Sequence, residues 1–141
     1  MHRYPEMMIA PMRAEISAMG AEDLKTAEAV DAFIAESTGK TAIIVVNSVC
    51  GCSAGSMRPG LRMALEKVRP DALGQVFAGA DLEATERARE RFQPYPPSSP
   101  AIALFRDGEL VFMLERQHIQ GQMPEQIANS LAQAVEANAA V

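Results

Sequence analysis

The chain has 141 residues, 48% of them apolar, with a net charge of −5 and two cysteines; this is enough for one ordinary core and predicts a single domain over residues 1–141. Lys and Arg are mixed with Asp and Glu along the chain, which leaves no basic stripe to neutralise a run of phosphates and argues against nucleic acid as a partner. Apolar runs such as residues 42–46 are far shorter than the roughly 20 residues a membrane helix needs, and residues 1–12 lack the pattern of a secretory signal because Arg3, Pro5, Glu6 and Pro11 interrupt them; the expected location is the cytoplasm.

Residues 7–19 place Met8, Ile9, Met12, Ile16 and Met19 at helical spacing and predict an amphipathic helix stopped at Gly20. Its methionines, Met7 among them, are expected to fill the core. Thr26 is the expected cap of a second helix with Val30, Phe33 and Ile34 inward, ending at Thr38-Gly39-Lys40. Residues 41–48 form a continuous β-branched and apolar run, the pattern of a strand buried on both faces. After Cys50-Gly51-Cys52, a helix carrying Leu61, Leu65 and Val68 should end before Pro70, with Pro59 either starting its regular part or kinking it. A strand over 73–78 and a charged helix over 82–92 follow, with Asp81 as the expected cap of that helix. The proline-rich stretch 94–100 reads as a shaped loop. Residues 101–105 and 110–114 flank Asp107-Gly108, a hairpin signal, and 123–137 close the chain as a helix. Strands alternating with helices and ending in a hairpin predict an α/β sheet covered on both faces, with its site at the carboxyl edge of the central strand.

The candidate chemistry lies at that edge. A disulfide framework is not available to two cysteines in a chain of this length, and a cytoplasmic location would keep a purely structural disulfide reduced. Cys50 and Cys52 sit where a buried strand gives way to a helix, whose free N–H groups stabilise thiolate over thiol. Gly51 allows the two sulfurs to join across a very tight loop, giving a disulfide expected to be easily reduced. Two other readings of the pair stay open on the residues alone: inert buried side chains, or thiolate ligands of a metal. The metal reading is short of ligands, since His2 and His118 are distant in sequence. Arg58, beyond Cys52 on the helix, is a candidate to add positive potential or to meet an anionic thiol substrate. His118 has no partner visible in the sequence and reads as a surface or structural residue.

Val46-Asn47-Ser48-Val49-Cys50-Gly51-Cys52 with Ala54-Gly55 and Arg58-Pro59, Tyr95-Pro96-Pro97-Ser98-Ser99-Pro100 and the following strand, and Asp107-Gly108-Glu109 together resemble the bacilliredoxin family. Pro11-Met12-Arg13, Thr26-Ala27-Glu28 and Val76-Phe77-Ala78-Gly79 extend the resemblance over nearly the whole chain. It implies a thioredoxin-like three-layer α/β/α sandwich with a central mixed sheet and an N-terminal helical extension. It also implies a thiol–disulfide oxidoreductase that removes bacillithiol, or a similar low-molecular-weight thiol, from mixed disulfides on client proteins. Cys50 is then the nucleophile and Cys52 the resolving thiol, with Gly51, Ser53, Arg58, Ser99 and Pro100 around the substrate groove and the bond before Pro100 in the cis form. The thiol is a co-substrate, and neither a tightly bound cofactor nor a metal is implied. Disulfide isomerase activity of the same pair, or a non-enzymatic metal-binding or redox-sensing module, are the alternatives; a homodimer is compatible with the sequence. The chain departs from the family pattern at Arg116-Gln117-His118-Ile119-Gln120-Gly121, where an Arg-His pair followed by Glu is usual, and it has no third cysteine near the carboxyl end.

Overall fold

A computed structural model describes residues 3–139 of the chain. Helix α1 (Glu6–Ser17) leads into a two-residue strand β1 (Glu22–Asp23), α2 (Ala27–Glu36) and β2 (Thr41–Asn47). The cysteine turn and a π-helical segment at Ser53–Met57 precede α3 (Arg58–Lys67), followed by β3 (Ala72–Phe77) and α4 (Leu82–Arg91). The hairpin β4 (Ala101–Arg106) and β5 (Glu109–Leu114), the short α5 (Arg116–Ile119) and α6 (Pro124–Ala137) complete the order.

The five strands form one mixed sheet in the order β1-β3-β2-β4-β5. β2 pairs in parallel with β3, Ile44 opposite Gly74, and antiparallel with β4, Ile44 opposite Ala103. Every residue of β2 is buried, as its unbroken apolar run requires of a strand covered on both sides. The period of two divides it between two cores. Ile43 and Val45 pack in a cluster with Leu61, Leu65, Ile127 and Leu131 from α3 and α6. Ala42, Ile44 and Val46 join Val30, Phe33, Ala84 and Ala88 from α2 and α4 on the other face. The result is the three-layer sandwich, with β2 at its centre and its carboxyl end pointing at Cys50.

Local signals hold at most joints. Thr26 caps α2 by accepting the Ala29 amide at 3.0 Å. Asp107 and Gly108 both have positive φ, 55° and 78°, the backbone that a two-residue hairpin turn matched to strand twist demands. Pro59 lies just after the π-helical segment, where the regular α-helical part of α3 begins.

Three expectations need correction. Met7 is 90% exposed and Met8 49%, so neither is a core residue; α1 buries Ile9, Arg13 and Ile16 instead. Asp81 stands at the cap position of α4 without bonding that helix's amides: its carboxylate accepts the Phe77 amide at 3.0 Å and two bonds from Arg13 at 2.8 and 3.0 Å. β1, α5 and the π-helical segment add to the expected elements, each being too short to show a period in the sequence.

Candidate active site

Asn47 ends β2, and the chain leaves the sheet through Ser48 and Val49 into Cys50. Gly51 and Cys52 open a helical turn that continues into Ser53–Met57. Cys50 and Cys52 are joined as a disulfide, with their Cα atoms 5.4 Å apart. The Cys52 amide donates to Cys50 Sγ at 3.2 Å, and the Cys50 amide donates to Ser48 Oγ at 3.3 Å. Both cysteines are partly exposed and Gly51 is exposed. The pair thus sits partly exposed on a turn in which one amide, that of Cys52, donates to a sulfur, a contact that favours thiolate over thiol.

The turn is braced from behind. Ser53 is buried and its hydroxyl lies 2.7 Å from that of Ser48. Asn47, also buried, accepts the Ser48 amide at 2.9 Å and donates to Met12 O and to Gln75 Oε1. Arg58 is 4% exposed. It donates to Asn47 Oδ1 at 3.0 Å, to Ser48 O at 3.2 Å and to Glu15 Oε2 at 2.6 Å. The structure therefore places Arg58 beneath the turn with its guanidinium committed to the protein, not in the groove where an anionic substrate would meet it. Its partners are not visible in the sequence, because Glu15 is 43 residues away.

In front of Cys50 opens a cavity of about 340 Å³, bounded by Tyr4, Gly79, Arg89, Ser99 and Arg116. The Ser99–Pro100 bond is cis. Pro100 is buried and Ser99 half-buried, and Ser99 O accepts from Arg116 at 3.3 Å. Gly79 is where the amino-terminal segment docks: the Tyr4 amide donates to Gly79 O at 2.9 Å, and a Cβ on Gly79 would lie 2.5 Å from the Tyr4 ring. Gly79 also has φ +84°, so both its backbone and its neighbour call for glycine. Neither Tyr4 nor Arg89 stands out in the sequence; they converge on Cys50 only through the fold.

His118 lies apart from the cavity lining. Its Nδ1 accepts the Glu115 amide at 3.0 Å, which closes the first turn of α5. His2 lies outside the described residues. Among the described residues no three His, Cys, Asp or Glu side chains gather as a metal-binding group, and no helix is long and apolar enough to cross a membrane.

Comparison with known proteins agrees with this geometry. A family model described as disulphide isomerase matches residues 4–139. A bacilliredoxin of Cytophaga hutchinsonii is 54% identical over 129 residues, covering 91% of this chain and 94% of the relative. Bacilliredoxins of Salinibacter ruber and Bacillus cereus are 48% and 45% identical, over 95% and 96% of this chain and 80% and 94% of theirs. Among solved structures, Fasciola hepatica thioredoxin superposes with a TM-score of 0.60 at 14% identity, covering 83% of this chain and 98% of its own. Oxidised thioredoxin O2 of Arabidopsis thaliana gives 0.52 at 12% identity, over 82% and 90% of the two chains. With its thioredoxin fold and a Cys-Gly-Cys pair at the carboxyl edge of the central strand, the chain belongs to the bacilliredoxin family.

Proposed function

We propose that the protein reduces mixed disulfides between client cysteines and a low-molecular-weight thiol, bacillithiol or a relative of it. The observation that carries this reading is the placement of Cys50 on an open cavity with Cys52 already bonded to it in the same turn. A nucleophile that can be reached from solvent and a resolving thiol beside it are the two groups the reaction needs.

The Cys50 thiolate attacks the small thiol's sulfur in client–S–S–R. The S–S bond breaks, the client leaves as thiolate, and Cys50–S–S–R forms. Cys52, as thiolate, then attacks Cys50 Sγ and expels R–S⁻, leaving the Cys50–Cys52 disulfide. Two equivalents of a thiol, or one of a dithiol, reduce that bond and are themselves oxidised to a disulfide. The Cys52 amide, which donates to Cys50 Sγ, assists the first step by favouring the attacking thiolate; in the second step Cys50 Sγ is the sulfur attacked and R–S⁻ the leaving group. Ser53 and Arg58 hold the turn, the exposed Gly51 lies open to the client chain, and Ser99 lines the cavity in front of Cys50 with the buried Pro100 behind it.

The test is intact mass measurement of the reduced protein after incubation with a bacillithiol-labelled client. An adduct should accumulate on Cys52→Ser, which cannot resolve it, and be absent from Cys50→Ser. Adduct removal by Cys50→Ser at the wild-type rate would overturn the mechanism. The description of the matching family model favours a second reading, disulfide isomerisation. Recovery of a scrambled client that carries no small-thiol adduct would support it, and Cys50→Ser should abolish that activity too.

A further inference from the structure

Arg89 is the unusual group in this molecule. It comes from the last turns of α4, and side chains on a helix lean toward its amino terminus, which carries this one back to the cavity in front of Cys50. Its Nε is fully buried with no hydrogen-bond partner, and it forms no ion pair among the described residues. Burial pushes its pKa down, and no acidic neighbour pushes it back up; an arginine nevertheless stays charged in proteins. Arg116 stands on the same wall, held by Ser99 O and Gln120. No carboxylate lines the cavity, to which Arg89 and Arg116 both contribute. A neighbouring cleft of about 470 Å³ shares Arg89 but is lined also by Glu86 and Glu90, whose charge disfavours an anion on that side.

Arg89 is half-buried, and a guanidinium nitrogen taken out of water with no partner is costly to the protein, a cost that an anion beside the group offsets. We infer that the cavity is an anion subsite for the small-thiol half of the mixed disulfide: Arg89, aided by Arg116, binds a carboxylate of R while R's sulfur lies against Cys50. This rests on the reading of Cys50 as the attacking thiolate, and it adds a reason for which sulfur is attacked. Holding R by its carboxylate presents R's sulfur to Cys50 and makes the client cysteine the leaving group. Tyr4, seated on Gly79, walls the opposite side.

One client peptide carrying its single cysteine as a mixed disulfide with 3-mercaptopropionate, 2-mercaptoethanol or cysteamine supplies anionic, neutral and cationic forms of R. Transfer to reduced Cys52→Ser protein is followed by mass. The anionic adduct should transfer roughly tenfold or more faster than the cationic one, as a charge-assisted bond at a partly buried site permits. Adding Arg89→Gln should collapse that ratio by slowing the anionic adduct more than the neutral one, without lowering the melting temperature; Arg116→Gln, on the exposed rim, should reduce it less. A ratio that survives Arg89→Gln overturns the subsite. A preference that follows acidic residues placed in the peptide instead of the charge on R also overturns it, since the cavity would then serve the client. Alkylation of the reduced protein by iodoacetate and iodoacetamide gives a readout independent of disulfide exchange. If no adduct transfers but the iodoacetate preference is lost in Arg89→Gln, the exchange reading fails and the anion subsite stands. If the preference is the same in both proteins, the subsite fails.

Discussion

The turn bearing Cys50 lies between two sets of arginines that the fold treats in opposite ways. Behind it, along α1 and the start of α3, Arg13 and Arg58 are almost wholly buried and closed. Arg13 is bonded to Asp81 and Glu6 and lies over the Phe77 ring with its guanidinium carbon 5.6 Å from the ring centre. Burial alone would lower its pKa, but the bonds from Asp81 and Glu6 outweigh that and hold it above the ordinary arginine value. Arg58 spends its donors on Glu15, Asn47 and Ser48. In front of the turn, Arg89 has a buried nitrogen and no partner. Paired arginines hold a structure together; an unpaired one lining the cavity beside Cys50 is the kind of group the proposed subsite needs.

Breaking the closed side should be expensive. Asp81→Ala strips Arg13 of its buried carboxylate and frees the Phe77 amide, and is expected to cost about 3–5 kcal/mol in urea unfolding. A loss below about 1 kcal/mol would mean that Glu6 alone satisfies Arg13 and that the seam is not closed. Arg58→Met keeps most of the buried stem but removes the bonds to Asn47 and Ser48, and should cost about 1–3 kcal/mol. Unfolding of that variant at unchanged midpoint would show that the turn does not need its brace. The smallest effect belongs to Glu6, whose carboxyl is held below its ordinary pKa by the hydrogen bond from Arg13. A lowered acid pKa contributes stability that is present above the unfolded-state value and is lost as pH falls through the folded-state value. Glu6→Gln should therefore cost under about 1 kcal/mol at neutral pH, discounted because the side chain is half exposed, and its melting curve should converge with wild type in acid. A gap that widens in acid would contradict the assigned direction. Arg89→Gln, by contrast, deprives no protein group of a partner, which is why its signature is sought in substrate charge and not in stability.

What could be read from the sequence divides along the same line. β2 was legible because an unbroken apolar run of its length suits little but a strand covered on both faces, and the Thr26 cap and the Asp107-Gly108 turn because their chemistry is local. Cys50 and Cys52 were legible for the same reason, sitting at a strand-to-helix junction. The stripe of α1 was legible at Ile9 and Ile16 but not at Met7 and Met8, since methionine and isoleucine share its periodicity, and nothing local shows that Arg13 takes the inner place; its partner Asp81 is 68 residues away. Arg89 read as one of several arginines late in a charged helix, suited to the dipole. Only the packing of α4 against β3, with the loop before Pro100, turns it toward the thiol. Local signals thus located the cysteine pair, while its surroundings depend on contacts between segments far apart in the chain.

The docking of Tyr4 on Gly79 has a practical side. Tyr4 stands at the mouth of the Cys50 cavity, whereas α6 starts near the same edge, where Gln122 O accepts from Ser56 Oγ at 2.8 Å, and runs its 14 residues away from it. A fluorophore, surface tether or affinity handle placed after α6 leaves the entrance clear, and a reporter placed before Tyr4 becomes a local probe of what enters.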